Sequence, residues 1–241
     1  MSMVVGQQRA CSMSYLKTMY PESKSSYPEK LCKHLSKIYQ MNSSSDLCFL
    51  EIGCGKGTHL TEFSKLLSGK FFGVDFEDIG DLEGCETYVC DLEKERLPFK
   101  DDSFDFIFSK SVIEHIHNTT NFLSESKRVL KPGGLLIVMT PDWQSQMKNF
   151  YDDPTHVKPF TKHSMFSSLT MTGFDEIQVD DFMQLPSTWK YPILTKVYSM
   201  FVFLIPESFK WKSSKGRNTN DRKFIRFAKE NMILASCKKG D

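Results

Sequence analysis

The sequence predicts an α/β fold in which a mostly parallel sheet carries helices on both faces. Short apolar runs alternate, along the first 140 residues, with segments whose apolar residues recur at helical spacing. A glycine-rich turn directly follows the first apolar run, at 53–57, and the next two runs are each followed by an aspartate. Ligands of open α/β sheets bind at the carboxyl ends of the strands, so this pattern predicts a ligand-binding domain.

The predicted elements follow one another in a regular order. A helix over 29–41 precedes the sheet, and a second helix over 58–67 follows the glycine-rich turn. A helix over 121–130 ends at Lys131-Pro132-Gly133-Gly134, where proline cannot continue it and glycine supplies the turn. The predicted strands are 47–52, 71–74, 87–90, 104–108, 135–139, 174–179 and 232–237.

The domain organisation is predicted to be a single domain with two inserts. Residues 1–28 are predicted to be a flexible N-terminal segment, and residues 29–241 suit one large α/β domain. Long connections at 140–172 and 180–231 interrupt the strand order. Connections of that length usually carry structure of their own or a function, so we expect helical or irregular inserts over the active site.

Composition excludes several classes of protein. The net charge of +1 argues against a surface built to attract nucleic acid, which is therefore not the favoured partner. The seven cysteines form no CxxC pair, so we expect neither a disulfide framework nor a zinc site, and a reducing cytoplasm is the expected location. No signal peptide and no apolar run of about 18 residues are found, so no membrane span is expected.

The strongest motif is Leu50-Glu51-Ile52-Gly53-Cys54-Gly55-Lys56-Gly57, which follows a predicted strand and opens a helix. Glycines let the backbone turn sharply and let a ligand approach the main chain. A carboxylate just before the turn can attract a cationic group. Asp75 comes 20 residues after Gly55, and an acid there suits two hydrogen bonds to the hydroxyls of a ribose. These features alone would also fit a nicotinamide-dinucleotide enzyme.

Four further segments separate these possibilities. They are Cys90-Asp91-Leu92, Leu97-Pro98-Phe99, 102–116 and Arg128-Val129-Leu130-Lys131-Pro132-Gly133-Gly134. With the glycine-rich turn they resemble the class I methyltransferases, most closely the broad group that includes the ubiquinone and menaquinone biosynthesis enzymes. The resemblance covers roughly residues 49–141. It implies a Rossmann-like sheet of seven strands with the last one antiparallel, and S-adenosylmethionine as the cofactor, while it says little about the acceptor.

The resemblance also implies roles at the methionine end of that cofactor. Glu51 and the glycine-rich loop would line this end, and Ser109 would offer its carbonyl or hydroxyl to the methionine amine. The loop residues expected to bind are Gly53, Cys54, Gly55 and Gly57.

At the adenosine end, the resemblance implies four further contacts. Asp75 would hold the ribose hydroxyls, with Phe76 beside the adenine. Asp91 would accept a hydrogen bond from the adenine amino group, with Leu92 packed on the ring. All four residues lie at or just after the predicted ends of strands.

Methyl transfer to a hydroxyl requires alignment and removal of a proton, and histidine suits the second task. His156 is the first candidate base, because it lies in a segment that follows the fifth strand, where Asp153 could orient the imidazole. Residues 150–161 loosely resemble a segment of methyltransferases that modify surface glycans and sugars. His115 is the second candidate. Either histidine could instead be structural, with His156 binding a backbone carbonyl and His115 packing beside the cofactor.

The second insert combines an apolar and a basic part. Residues 191–205 are rich in apolar side chains, which most commonly just pack in a core but could also form a cap over the acceptor, a dimer face or an interfacial helix. Residues 210–229 contain eight Lys or Arg residues and one acid, Asp221. Such a run is commonly just solvated, but it could also recognise phosphate on a nucleotide-sugar, an anionic lipid carrier or nucleic acid.

The favoured function is therefore S-adenosylmethionine-dependent methylation of a hydroxyl on a small molecule or glycan, with sugar O-methylation preferred. A methyltransferase acting on nucleic acid or protein, a nicotinamide-dependent oxidoreductase and a non-catalytic binding protein are the alternatives. No metal cluster is predicted, although Asp152, Asp153 and His156 could contribute to one.

Overall fold

A computed structural model of the chain describes residues 25–205 and 223–240. These residues form a seven-stranded sheet with the spatial order β3-β2-β1-β4-β5-β7-β6. The strands are β1 (Cys48–Ile52), β2 (Lys70–Asp75), β3 (Cys85–Val89), β4 (Phe104–Lys110), β5 (Leu130–Pro141), β6 (Asp175–Phe182) and β7 (Met232–Lys238). All seven predicted strands are thus confirmed.

The sheet is parallel except for its last strand. β1 pairs in parallel with β2 on one side and with β4 on the other, and β3 and β5 continue the parallel pairing outward. β7 lies antiparallel between β5 and β6. The chain therefore reverses its direction of winding between β1 and β4, and the carboxyl ends of these two strands border the crevice in which open α/β sheets bind ligands.

Helices cover both faces of the sheet, as predicted. Within the described residues they are α1 (Tyr27–Ile38), α2 (Thr58–Leu66), α3 (Thr119–Val129), α4 (Trp143–Gln146), α5 (Lys162–Met171), α6 (Pro186–Lys190), α7 (Ile193–Phe203) and α8 (Lys223–Lys229). Side chains alternate between the faces of a strand, so neighbouring residues of β1 enter different cores. Phe49 packs with Leu35 of α1 and Phe63 of α2, whereas Leu50 packs with Phe122 of α3 and Met165 of α5.

Several predicted boundaries are wrong. α1 runs over Tyr27–Ile38 rather than 29–41, and it begins early because Pro28 is favourable in the first turn of a helix. α3 begins at Thr119 rather than at 121. The expected turn at 131–134 lies inside β5, which begins directly after α3. Phe104 pairs with Leu130 and Phe106 with Leu135, so residues 131–134 form a bulge rather than a separate turn.

The two inserts are partly helical. The first contains the end of β5, α4, a 3-10 turn at Phe150–Asp152 and α5. The second contains the end of β6, α6, α7 and α8. Most of the predicted flexible segment 1–28 and the part of the basic run at 210–222 lie outside the described residues.

The structure bears on two features considered in the sequence, the cysteines and the membrane-spanning segments. Cys32, Cys48, Cys54, Cys85, Cys90 and Cys237, the cysteines that the structure describes, are all free thiols. Among the described helices, none combines the length and apolar character needed to cross a bilayer.

Candidate active site

The glycine-rich turn joins β1 to α2 and requires glycine for two different reasons. Gly53, Gly55 and Gly57 all have positive φ angles, of 73°, 53° and 68°. A Cβ on Gly53 would lie 2.1 Å from Val112 Cγ2, so this position also requires glycine for close packing. A Cβ on Gly55 would meet nothing within 4 Å, which leaves its backbone open to a ligand.

Asp75 links the end of β2 to this turn. Its Oδ2 accepts a hydrogen bond from the backbone N–H of Gly55 at 2.7 Å, and its Oδ1 accepts one from Glu77 N at 3.3 Å. Burial raises the pKa of Asp75. The carboxylate is therefore held beside the glycine-rich turn, where it retains lone pairs for further donors.

A cavity of about 440 Å³ opens where β1, β2 and β4 end. Eight of the ten predicted cofactor residues line it. They are Glu51, Gly53, Cys54, Gly55, Asp75, Phe76, Asp91 and Leu92. Gly57 and Ser109 do not line it: Gly57 precedes α2 against Leu82, and Ser109 is buried in β4, where its Oγ has no hydrogen-bond partner.

Asp91 is already engaged by its own segment. Its Oδ1 accepts a hydrogen bond from Glu93 N at 3.0 Å, and its Oδ2 lies 2.9 Å from Lys94 Nζ. A carboxylate has about four acceptor sites, so Asp91 can still receive another donor. The role predicted for Asp91 thus requires sharing its oxygens with Glu93 and Lys94.

Glu51 and Lys110 bring opposite charges to the same cavity. Glu51 is buried, with Oε1 3.5 Å from His59 Nδ1 and with Oε2 lacking a hydrogen-bond partner. Burial raises the pKa of Glu51. Lys110, at the end of β4, also lines the cavity, and burial lowers its pKa against the attraction of Glu114 and Glu51. An unsatisfied buried oxygen is costly, so Oε2 is suited to a cationic or donor group of a ligand.

These side chains fit S-adenosylmethionine better than a nicotinamide dinucleotide. The methionine end of S-adenosylmethionine carries both an ammonium and a carboxylate, which match Glu51 and Lys110. The Asp75 carboxylate matches ribose hydroxyls. A pyrophosphate placed at the glycine-rich turn would instead bring negative charge close to the buried oxygen of Glu51, which is unfavourable.

His115 lines the cavity at the end of a 3-10 turn, Ile113–His115. Its Nδ1 lies 2.9 Å from Thr155 Oγ1 and 3.2 Å from the Thr155 carbonyl oxygen. Thr155 Oγ1 donates its own proton to Asp153 Oδ1 at 2.7 Å. Both Thr155 oxygens therefore act as acceptors, so Nδ1 carries the proton and Nε2 is the basic nitrogen of the neutral ring. Burial, followed by the nearby His156, lowers the pKa of His115 to about 4.

His156, the first candidate base, does not line the cavity, whereas His115, the second candidate, does. Its side chain is 10 % exposed, and its ring packs on those of Phe150 and His115. Its Nδ1 lies 2.5 Å from the Phe150 carbonyl oxygen, which is the structural alternative considered for this residue. Asp153 is buried, with Oδ2 4.0 Å from His156 Nε2, and it reaches His115 through Thr155.

Among the described residues, Glu114, His115 and His156 could hold a metal ion, because a ligand atom of each lies within 4.8 Å of the others. This set differs from the one considered in the sequence, which included Asp152 and Asp153. Glu114 Oε2 accepts a hydrogen bond from Thr140 Oγ1 at 2.9 Å, while Oε1 has no hydrogen-bond partner. Burial raises the pKa of Glu114 to about 7.

Sequence reasoning missed several residues of the cavity. Lys110 and Ser111 directly follow the apolar part of β4, so their position at a strand end was the available signal. Ser111 has a φ of 57°, which is uncommon for a residue other than glycine, and its N–H donates to the Met139 carbonyl oxygen. His59 was not missed in this way, because its place in the helix after the glycine-rich turn allows it to flank the cofactor, and it lines the cavity from the first turn of α2.

Comparison with known proteins agrees with this geometry. Residues 50–138 match the model of a protein family described as a methyltransferase domain. Residues 50–138 therefore form a methyltransferase domain. The matched segment of this methyltransferase domain runs from β1 into β5, and so contains the ends of β1, β2, β3 and β4 that border the cavity.

Two curated relatives and one solved structure show the range of similar proteins. The probable tRNA methyltransferase 9B of Bos taurus is 36% identical over 128 residues, covering 51% of this chain and 27% of that protein. The malonyl-[acyl-carrier protein] O-methyltransferase 1 of Coxiella burnetii is 28% identical over 158 residues, covering 64% and 56%. Phosphoethanolamine N-methyltransferase 2 of Haemonchus contortus, solved with phosphomonomethylethanolamine and S-adenosylhomocysteine, superposes with a TM-score of 0.59 at 20% identity, covering 88% and 52%.

The matches are partial. The alignments cover 27% of the tRNA methyltransferase 9B and 56% of the malonyl-[acyl-carrier protein] O-methyltransferase, so the chain spans about half or less of the length of these curated relatives. The likeness to the Haemonchus contortus structure, at 20% identity, concerns the fold. These comparisons establish the domain type and leave the acceptor to be argued from the site.

Proposed function

We propose that the methyltransferase domain transfers a methyl group from S-adenosylmethionine to a hydroxyl of a small molecule or glycan. The observation that carries this proposal is the position of His115, whose ring lines the cavity and whose Nδ1 proton is held by Thr155. Bound S-adenosylmethionine supplies an electrophilic methyl group on a sulfonium. An acceptor hydroxyl must lose a proton as it attacks, so a nitrogen base in the cavity wall favours a hydroxyl acceptor.

The residues of the cavity would bind and orient the cofactor. Glu51 and Lys110 would hold the ammonium and carboxylate of its methionine end, and Asp75 would hold the ribose hydroxyls. Val112 and Ile116 add apolar surface to the lining, which helps to exclude water. Alignment of this kind can supply much of the rate acceleration of a displacement.

His115 Nε2 would take the acceptor proton. The resulting imidazolium would donate from Nδ1 to Thr155, whose hydroxyl donates to the buried Asp153 carboxylate. Thr155 and Asp153 are therefore positioning residues for His115. His156 packs behind His115 at a ring-centroid distance of 4.7 Å and supports its orientation.

A nucleic-acid acceptor is the second candidate, since the probable tRNA methyltransferase 9B of Bos taurus is 36% identical over half of this chain. Transfer of labelled methyl groups from S-adenosylmethionine to total tRNA, compared with a panel of sugars and glycans, separates the two candidates. Binding to tRNA would weaken steeply with added salt. One observation counts against this second candidate. Residues 109–112, Ser-Lys-Ser-Val, lack the Asn/Asp-Pro-Pro-aromatic motif of amino-group methylation.

Calorimetric titration with S-adenosylhomocysteine, with NADH as the control, tests the cofactor. We expect binding of S-adenosylhomocysteine alone, and binding of NADH alone would overturn the proposal. Turnover of His115→Gln then tests the base, with the exposed His163→Gln as the matched control. Full turnover in His115→Gln, with a hydroxyl acceptor identified, would assign the proton transfer to another group.

We also propose a cytoplasmic location. The described cysteines are free, and burial raises the pKa of Cys90 to about 11 and that of Cys54 further, so these thiols are poor nucleophiles. Fractionation of the source cells with an antibody against the chain tests this, and recovery only in an oxidising compartment would contradict it.

A further inference from the structure

α7 exposes a stripe of apolar side chains. Ile193, Val197, Met200 and Leu204 recur at the spacing that places residues on one face of a helix, with Leu204 directly after the last residue of α7. Ile193, Met200 and Leu204 are 67 %, 63 % and 77 % exposed, and Phe201 beside them is 59 % exposed. A surface helix normally presents polar residues outward, so this arrangement marks an interaction surface.

The other face of α7 is already in use. Tyr198 and Ile205 pack against the small apolar cluster of Met183, Leu185 and Ala228. The Tyr198 ring also lies 5.2 Å from that of Phe224 on α8. These contacts fix the rotation of α7 about its axis and point the apolar stripe away from the domain.

Basic residues predominate in the segments that contain this stripe. The charged residues of 183–205 are Lys190 and Lys196, and 223–230 contains three Lys or Arg residues and Glu230, which lies 3.7 Å from Arg226. Lys190 and Lys196 are exposed. The sequence that joins these two segments, 206–222, contains five Lys or Arg residues and two acids, Glu207 and Asp221. Residues 183–230 therefore carry a formal charge of +7 in a chain whose net charge is +1, which leaves −6 for the rest.

We propose that α7 and its basic neighbours dock on an anionic lipid bilayer, with Ile193, Met200 and Leu204 entering the interfacial layer. An apolar stripe combined with flanking cations is the arrangement of helices that lie in the plane of a membrane surface. A second copy of the chain would bring Lys196 and its basic neighbours close to their own counterparts. RNA would pair with the cations but leave the apolar stripe exposed to water.

The docking surface is linked to the end of the sheet that carries the methyltransferase cavity. Tyr198 of α7 contacts Phe224 of α8. α8 is followed by β7, which begins with Met232 paired to Pro141 at the end of β5, and β5 lies beside the end of β4 that carries Lys110 into the cavity. Docking on a bilayer favours an acceptor hydroxyl that is carried by a lipid, an inference that rests on the proposed methyl transfer.

Vesicle flotation with the full chain tests the docking without reference to activity. The vesicles contain phosphatidylcholine alone or with about a third of phosphatidylserine, which gives a negative surface. We expect binding to the anionic vesicles, weakened by salt, and a loss of about tenfold or more in a Met200→Glu, Leu204→Glu double variant. The matched control is Met171→Glu, on α5 outside this surface, where Met171 is 87 % exposed. Lys196→Gln, which removes one positive charge, should lower binding about fivefold.

Four outcomes would overturn the proposal. The first two are no binding to anionic vesicles and equal binding by the double variant. The third is a solution dimer that dissociates only in the double variant, which would show that a second copy covers the stripe. The fourth is competition by tRNA that abolishes vesicle binding while the double variant still binds tRNA, which would assign the cations to RNA. S-adenosylhomocysteine titration of each variant shows that the domain is folded, so failure of docking and failure of the proposed methyl transfer remain distinguishable.

Discussion

Asp75 Oδ2 accepts a 2.7 Å hydrogen bond from the backbone N–H of Gly55. This contact joins the end of β2 to the glycine-rich turn after β1. Asp75, which is proposed to bind the ribose hydroxyls, is therefore held in a fixed position relative to that turn. Since the carboxylate is already placed, cofactor binding requires little reordering of this part of the site, and less binding energy is lost to entropy.

Substitution of Asp75 tests its role in cofactor binding. We expect Asp75→Asn to keep an acceptor for Gly55 but to weaken S-adenosylhomocysteine binding about 10- to 100-fold, because a hydrogen bond to a charged group is worth about 1.5–3 kcal/mol. Calorimetric titration measures this. The matched control is Asp81→Asn, an exposed acid nearby. Equal affinities of Asp75→Asn and the native chain would remove Asp75 from the cofactor site.

Substitution of Glu51 should produce opposite effects on stability and on binding. Burial raises the pKa of Glu51, so the ionised carboxylate destabilises the ligand-free protein. We expect Glu51→Gln to raise the melting temperature without ligand near pH 8 and to weaken S-adenosylhomocysteine binding by at least tenfold. Thermal denaturation with and without S-adenosylhomocysteine measures both effects. Weakened binding together with a lower ligand-free melting temperature would indicate a merely disrupted fold.

The raised pKa of Glu114 should make the free energy of unfolding depend on pH. Its pKa is raised from 4.5 to about 7 by burial, so the folded state prefers the protonated form. The stability contributed by protonated Glu114 is complete below about pH 4.5 and is lost as the pH rises through about 7. We expect the free energy of unfolding of Glu114→Gln, relative to the native chain, to increase by on the order of 2–3 kcal/mol between pH 5 and pH 8. Urea unfolding at several pH values measures it, and a difference that does not change with pH would contradict the assignment.

Substitution of His115 should lower kcat while leaving the affinity for S-adenosylhomocysteine nearly unchanged. We expect His115→Gln to lower kcat by about 10²–10⁴-fold while S-adenosylhomocysteine binds within a few-fold of normal. Because the pKa of His115 is lowered to about 4, the neutral form predominates at pH 7, so kcat should be flat from pH 6 to 8 and should fall below about pH 5. Thr155→Val should lower kcat less, since it removes only the hydroxyl that holds Nδ1. A kcat that falls on acidification with its midpoint above pH 6 would point to another base.

Metal removal distinguishes the two chemical uses of the cluster formed by Glu114, His115 and His156. With His115 as the base, we expect turnover to be unchanged after treatment with EDTA. Loss of turnover that is restored by Zn²⁺ or Mn²⁺, and that is no longer restorable in Glu114→Gln, would instead show that these three residues hold an ion. Imidazole and carboxylate ligands suit both ions.

Much of the site is predictable because it is local in sequence. The glycine-rich turn directly follows β1, and Asp75 directly ends β2, so the rule that ligands bind at the ends of parallel strands brings them together without knowledge of the sheet order. The bulge at 131–134 was not predictable in this way, because it depends on how β5 pairs with β4.

The order of the two histidines depended on tertiary structure. His115 and His156 are 41 residues apart in the sequence, and their spacing carries no information about which ring faces the cavity. That choice is made by the Phe150 carbonyl oxygen, which holds His156, and by Thr155, which holds His115. The sequence by itself determined the strand pattern, the glycine-rich turn and the acids at the strand ends, since these follow from short-range periodicity. Only the tertiary structure decided which of the two histidines lines the cavity, that Glu51 and Lys110 both line it, and that α7 turns apolar residues outward, because these result from packing between segments distant in the chain.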